Sequence, residues 1–138
     1  MKPLYTAQAT AEGGRDGKVS TSDNTLQENL TVPKDMGGSG GEGTNPEQLF
    51  ASGYAACFDG ALNLIASKAG EEIESKTTVD VHIGKEGDGF GLAADINVEM
   101  KGVDQDKADE LVQKANDFCP YSKATKGNIE VSVNAKAV

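Results

Sequence analysis

NPEQLFASGYAACFDGALNLIASKAG, from Asn45 to Gly70, reads as one long helix. Asn45 can act as N-cap, Pro46 occupies the first helical position, and Gln48 stands where a capping box places its partner. Gly70 falls just past the expected end. The polar residues Ser52, Asp59, Asn63 and Ser67 form one narrow stripe. The remaining surface is apolar almost all round, with Leu49, Phe50, Tyr54, Phe58, Leu62, Leu64 and Ile65. Such a helix belongs in a core. At about 100° per residue, Cys57 lies roughly 160° from Asp59, on the side expected to be buried. A mid-helix cysteine on an apolar face is usually inert packing, so Cys57 has to be judged against the rest of the chain.

That chain has 138 residues, which predicts one domain over residues 1–138 with room for a sizeable core. The formal net charge of −9 and a pI near 4.5 argue against nucleic acid or an anionic membrane surface as partner. No apolar run reads as long enough to span a membrane. The opening MKPLYTAQATAEGGRDG lacks the apolar core of a signal peptide, so the cytoplasm is the expected location. There thiols are kept reduced, and two cysteines are more often catalytic, metal-binding or singly buried than a structural disulfide. Cys57, Cys119 and the single histidine, His82, cannot fill the common structural zinc shells, which discounts a metal.

Outward from the helix, residues 4–12 alternate as a half-buried strand, and shorter strands are expected around 18–21 and 26–32. The glycine-rich stretch 33–44 holds a formal G-x-G-x-x-G from Gly38 to Gly43. Without an alternating βαβ pattern it reads as a flexible connector, not a dinucleotide site. After Gly70, Val79, Val81 and Ile83 alternate with polar residues, Glu86–Gly89 is a hairpin turn, and Leu92 to Met100 form the returning strand. A second helix spans about 105–117, with Asp104 as N-cap, and Cys119-Pro120 ends it. Alternation of Ile129, Val131, Val133 and Ala135 gives a last strand. The order β-β-β-α-β-β-α-β predicts an α+β fold of antiparallel sheet with helices on one face. The long helix is more apolar than one thin sheet would cover, which predicts a homodimer.

Among polar candidates, His82 falls on the outward side of its strand, and without a second histidine, Ser-His-Asp and Cys-His mechanisms drop out. Asp104 to Asp109 resembles a calcium loop only superficially and reads as the acidic first turn of a helix. Arg15 is the sole arginine in a chain that otherwise uses lysine, and it sits in a glycine turn. Glu47 lies in the first helical turn, where a carboxylate is favoured in any case.

NPEQLFASGYAACF around Cys57 and FCPYSKATKGN around Cys119 together resemble the organic hydroperoxide resistance (Ohr) proteins of the OsmC/Ohr superfamily. LYTAQATAEGGRDG and PKDMGGSGGEGTNPEQLF match the same group, so the similarity covers essentially the whole chain. Lys126 stands where many such proteins carry arginine. The resemblance implies an intertwined homodimer and a thiol peroxidase for organic hydroperoxides. It implies Cys57 as the attacking thiol, Cys119 as the resolving thiol, Arg15 as the activating cation and Glu47 as its partner. No bound cofactor is implied; the external reductant would be a lipoyl dithiol, dihydrolipoamide or a lipoylated protein.

Chemistry agrees with these roles. A thiolate is the nucleophile and burial opposes it, so a fixed cation is required. Cys57 is some ten residues into its helix, beyond the reach of the N-terminal dipole. Glu47 and Cys57 are separated by about 15 Å of helical rise. A site using both therefore needs Arg15 to span the gap, a bend near Gly53, or a partner subunit. Met36, Leu49, Phe50, Phe58 and Phe118 are candidate walls of an apolar substrate pocket, though core packing explains each equally well. The alternatives are an OsmC-type peroxidase with broader peroxide preference and a redox sensor that does not turn over.

Overall fold

The computed structural model describes residues 1–138. By packing, the chain divides into two compact units, Met1–Leu49 and Phe50–Val138, with the boundary inside a continuous helix.

In the first unit, β1 (Ala9–Glu12), β2 (Lys18–Thr21) and β3 (Gln27–Asn29) form an antiparallel sheet in the order β1-β2-β3. β1 is shorter than the alternation suggested, and all four of its residues are exposed where half-burial was expected. The turn between β1 and β2 is a short 3-10 segment, Gly14–Asp16, which carries Arg15.

The glycine-rich stretch is not the flexible connector the composition suggested. It folds back on β3 through backbone bonds from Thr31 to Thr44, Thr44 to Asn29 and Gly40 to Val32. The Thr31 hydroxyl also donates to the Gly41 carbonyl at 3.0 Å. A Cβ on Gly38 would lie 2.1 Å from the Val32 carbonyl oxygen, so glycine permits the close approach there.

α1 (Pro46–Lys68) begins and ends as its sequence requires. The Asn45 side chain accepts from the Gln48 amide at 2.8 Å. At the other end Gly70, at φ +73°, and Glu71 return amides to Ser67 and Ala66, a Schellman closure. By length and apolar composition α1 would suffice to cross a membrane, contrary to the sequence expectation. Its side chains instead serve a protein core: Tyr54, Phe58 and Leu62 have no exposed surface.

In the second unit, β4 (Glu74–Glu86) and β5 (Gly89–Lys101) form the expected antiparallel hairpin. α2 (Gln105–Phe118) follows, capped by Asp104, whose carboxylate accepts from the Lys107 amide at 2.8 Å. Then come a short helix, α3 (Pro120–Thr125), and β6 (Glu130–Ala137). The α+β class stands, with two differences within it. β6 pairs parallel to β5, because the α2–α3 crossover carries the chain back to the starting end of the strand. α3 itself was not foreseen.

The register places Val79, Ile96 and Val133 side by side, and likewise Val81, Ala94 and Val131. That face meets Tyr54, Phe58 and Leu62 of α1 and Leu111, Val112 and Ala115 of α2 in one cluster. Full burial of each large side chain contributes about 1.5–3 kcal/mol. The polar stripe on α1 also has a structural use. Asp59 accepts from the hydroxyls of Ser75 at 2.7 Å and Thr77 at 2.8 Å, which fastens the helix to β4.

Candidate active site

Cys119 sits at the break between two helices. Its amide donates back to Ala115 and closes α2, while its carbonyl accepts from Lys123 and opens α3. Pro120 forbids a helical Cys119, which adopts φ −61°, ψ 123°. This break turns the Cys119 side chain inward, where it is fully buried. There its thiol donates to Cys57 of α1, with 3.5 Å between the sulfurs. Both cysteines are free, and Cys57 is only half-buried. A disulfide needs about 2.0 Å, so an approach of roughly 1.5 Å joins them without moving either helix far.

Burial pushes the Cys57 thiol above its ordinary pKa. The Tyr121 backbone amide, which donates to this sulfur, works in the other direction. The neighbouring Cys119 adds to the upward push, through its side-chain hydrogen bond first and its electrostatic effect second. Within Phe50–Val138 the Cys57 sulfur has the Tyr121 amide as a donor that favours its thiolate, and no cation acts on it.

Tyr121 reaches this position because residue 53 has no side chain. A Cβ on Gly53 would lie 2.8 Å from the Tyr121 hydroxyl oxygen and 3.2 Å from its ring. Phe50, Tyr54 and Tyr121 form an aromatic trio with centroids 5.7–6.3 Å apart. Beside it lies a cavity of about 450 Å³, lined by Phe50, Leu92, Pro120, Tyr121 and Ile129 among others.

In the first unit, Arg15 and Glu47 make a two-pronged ion pair. Nη1 donates to Oε2 at 2.9 Å and Nη2 to Oε1 at 2.7 Å. The hydrogen bonds from Arg15 hold the Glu47 carboxyl below the usual carboxylate range, against the opposing effect of burial. The same pairing raises the Arg15 pKa further, so the guanidinium stays charged.

The remaining sequence candidates are scattered. Phe50 lines the cavity. Phe58 is wholly inside the core. Phe118 is half-exposed, with the Lys68 ammonium 6.0 Å from its ring centroid. Met36 and Leu49 are half-buried in the first unit. Leu92, Pro120, Tyr121 and Ile129 were missed as cavity walls, although Pro120 and Tyr121 directly follow Cys119 in sequence. His82 pairs with Asp95 at 2.8 Å on the exposed face of the sheet, where Ser132 also donates to Asp95. No cluster of His, Cys, Asp and Glu suited to a metal ion is present.

Two free cysteines that meet at a helix break within an α+β fold make up the candidate site. A model of the OsmC-like protein family matches residues 38–134. The organic hydroperoxide resistance protein of Xanthomonas axonopodis pv. citri is 46% identical over 134 residues, covering 96% of this chain and 94% of that one. Organic hydroperoxide resistance protein OhrB of Bacillus subtilis is also 46% identical, over 96% of this chain and 98% of its own. Among solved structures, an organic hydroperoxide resistance protein from Elizabethkingia anophelis superposes with a TM-score of 0.95 at 44% identity, covering 100% of both chains. A Vibrio cholerae structure, described as a putative organic hydroperoxide resistance protein with captopril in one of the active sites, gives a TM-score of 0.92 at 45% identity over 98% of this chain and 94% of that one. The chain belongs to the OsmC-like family, among its organic hydroperoxide resistance proteins.

Proposed function

We propose that this protein detoxifies organic hydroperoxides as a thiol peroxidase. The Cys57 thiolate attacks the outer peroxide oxygen, the O–O bond breaks, and the substrate leaves as an alcohol after taking a proton. Cys57 becomes a sulfenic acid. The Cys119 thiol condenses with it, releasing water and forming a disulfide. An external dithiol then reduces that disulfide by exchange and is itself oxidised to a disulfide. We assign that role to dihydrolipoamide, free or on a lipoylated protein, in the cytoplasm. No bound cofactor or metal takes part in these steps.

The observation that carries this reading is the 3.5 Å separation of the two sulfurs. One sulfur is open enough to meet a small substrate, and the other is wholly buried beside it. A buried resolving thiol limits side reactions while capturing the sulfenic acid at short range. Arg15, held by Glu47, takes the role of the cation that favours the thiolate; a guanidinium suits it because it does not lose its proton. The apolar cavity against Pro120 and Tyr121, the two residues that follow Cys119, supports an alkyl or fatty-acyl hydroperoxide over hydrogen peroxide. The working unit is a homodimer, since a single chain leaves much of α1 uncovered.

The test is lipoamide-dependent consumption of cumene hydroperoxide by wild type, Cys57→Ser and Arg15→Ala. Turnover by wild type alone supports the scheme. Turnover by Cys57→Ser removes the proposed nucleophile. A wild type that forms one disulfide and stalls with every dithiol tried is a sensor rather than an enzyme. Comparable rates with hydrogen peroxide would indicate the broader peroxide preference.

A further inference from the structure

Three hydroxyls and one carbonyl connect α1 to α3, and their proton directions can be deduced. The Thr125 hydroxyl lies 3.1 Å from the Ser122 carbonyl, which can only accept, so Thr125 uses its one proton there. Tyr54 Oη lies 3.1 Å from Thr125 Oγ1 and must be the donor of that pair. Ser122 Oγ lies 2.9 Å from Tyr54 Oη and must donate in turn. The chain therefore runs from the Ser122 hydroxyl through Tyr54 and Thr125 back to the Ser122 carbonyl. All three side chains are buried. A one-directional chain of this kind strengthens each of its bonds.

The element it secures has little stability of its own. α3 has six residues, far fewer than an isolated helix needs. Yet α3 carries two things that bear on Cys57. Cys119 directly precedes it, and the Tyr121 amide lies in its first turn. Tyr54 is three residues before Cys57 on α1, and Gly53 four before, so the fastening lies one helical turn from the attacking sulfur.

We propose that Tyr54 is a positioning residue for the thiol pair: its hydroxyl, through Ser122 and Thr125, holds α3 so that the Tyr121 amide faces the Cys57 sulfur and Cys119 stays within closing distance. This rests on the thiol reading given above, but it concerns the reactivity of Cys57 and can be measured without a peroxidase assay. The opposing effect of that amide on the buried thiol is consistent with the assignment.

Tyr54→Phe removes one oxygen and keeps the ring. Two readouts are needed. The first is the pH profile of Cys57 alkylation by iodoacetamide in a Cys119→Ser background, where the apparent pKa should rise by about half to one pH unit. The second, with Cys119 present, is disulfide closure after one equivalent of cumene hydroperoxide, which should slow by about tenfold or more. Thr125→Val breaks the same chain elsewhere and should reproduce both changes, covering the case in which Tyr54→Phe fails to fold. Thr125→Ser keeps the hydroxyl and should restore wild-type behaviour. Either readout unmoved in a folded Tyr54→Phe or Thr125→Val variant overturns the proposal. If the peroxidase reading alone is wrong, wild type will not react with the hydroperoxide. Closure is then driven by diamide, and the alkylation and closure shifts still decide the role of Tyr54.

Discussion

Arg15 and Glu47 meet through two parallel hydrogen bonds, at 2.9 and 2.7 Å, across 32 residues of sequence. The pair ties the 3-10 turn after β1 to the first turn of α1. Arg15 holds the Glu47 carboxyl below its usual range, so the charged pair persists into mild acid. The stability it contributes is fully present above the unfolded glutamate value of about 4.3 and is lost as pH falls through the lower folded value. Arg15 is 38% exposed, so solvent screening limits the effect to about 1 kcal/mol. Urea titrations of wild type and Glu47→Gln should differ by about that much at pH 7 and converge as pH falls through the lowered Glu47 value. A gap that widens toward low pH would contradict this account.

A second consequence concerns Cys57. Burial holds its pKa up, and in the scheme proposed here the Arg15 charge opposes that. Arg15→Ala should therefore move the alkylation pKa of Cys57 up by about one unit or more from the wild-type value. Arg15→Lys should fall between, since an ammonium keeps the charge but cannot make the two-pronged bond to Glu47. Superimposable wild-type and Arg15→Ala profiles would remove Arg15 from the mechanism.

Asp59 offers a stability test separate from the chemistry. It accepts from Ser75 and Thr77 of β4, and Asn63 donates to its backbone carbonyl at 2.8 Å. Asp59→Ala leaves two part-buried hydroxyls without their acceptor and should cost about 2 kcal/mol. Thermal unfolding measures the loss. The Cys57 alkylation profile should stay in place, because Asp59 makes none of the bonds that hold α3.

What the sequence revealed and what it concealed follow from the range of the forces involved. The caps of α1 at Asn45 and Gly70, the β4–β5 hairpin and the end of α2 at Cys119-Pro120 are set by neighbours within a few residues. All of them were readable. Asp59 was read as part of a polar stripe because its partners, Ser75 and Thr77, lie 16 and 18 residues on. α3 was not foreseen, since six residues carry no usable periodicity and its hold on α1 comes through Tyr54. The parallel setting of β6 depends on the crossover path and not on its own alternation. As for the site, no spacing rule brings residues 57 and 119 together. Their pairing came from the resemblance alone, and the helix break at Cys119 supplies its geometric cause.

Cys119→Ser separates attack from resolution. The Cys57 sulfur keeps its donor from Tyr121, so the first reaction with hydroperoxide should proceed at close to the wild-type rate. Without a thiol at 3.5 Å the sulfenic acid persists, and excess hydroperoxide should carry it to sulfinic acid, a mass gain of two oxygens. Intact-protein mass spectrometry after one and after ten equivalents distinguishes the stages. Repeated turnover of Cys119→Ser with lipoamide at the wild-type rate would show that the second cysteine is dispensable.

The assembly proposed for the working protein can be tested at a single helical position. Leu64 is 41% exposed on α1, and Phe118 is 45% exposed at the end of α2. Leu4, Tyr5 and β1 are exposed as well, and large apolar side chains left in water suit an interface. A second copy offers the same surfaces and can cover them symmetrically. Sedimentation equilibrium at micromolar concentration should therefore give about twice the chain mass of 14.3 kDa. Leu64→Asp places a charge on the uncovered face of α1, where a buried unpaired carboxylate would be costly, and should shift the equilibrium toward monomer by tenfold or more, about 1.4 kcal/mol. A wild type that sediments as a monomer throughout would mean that these apolar surfaces stay in water and that one chain suffices for whatever chemistry it performs.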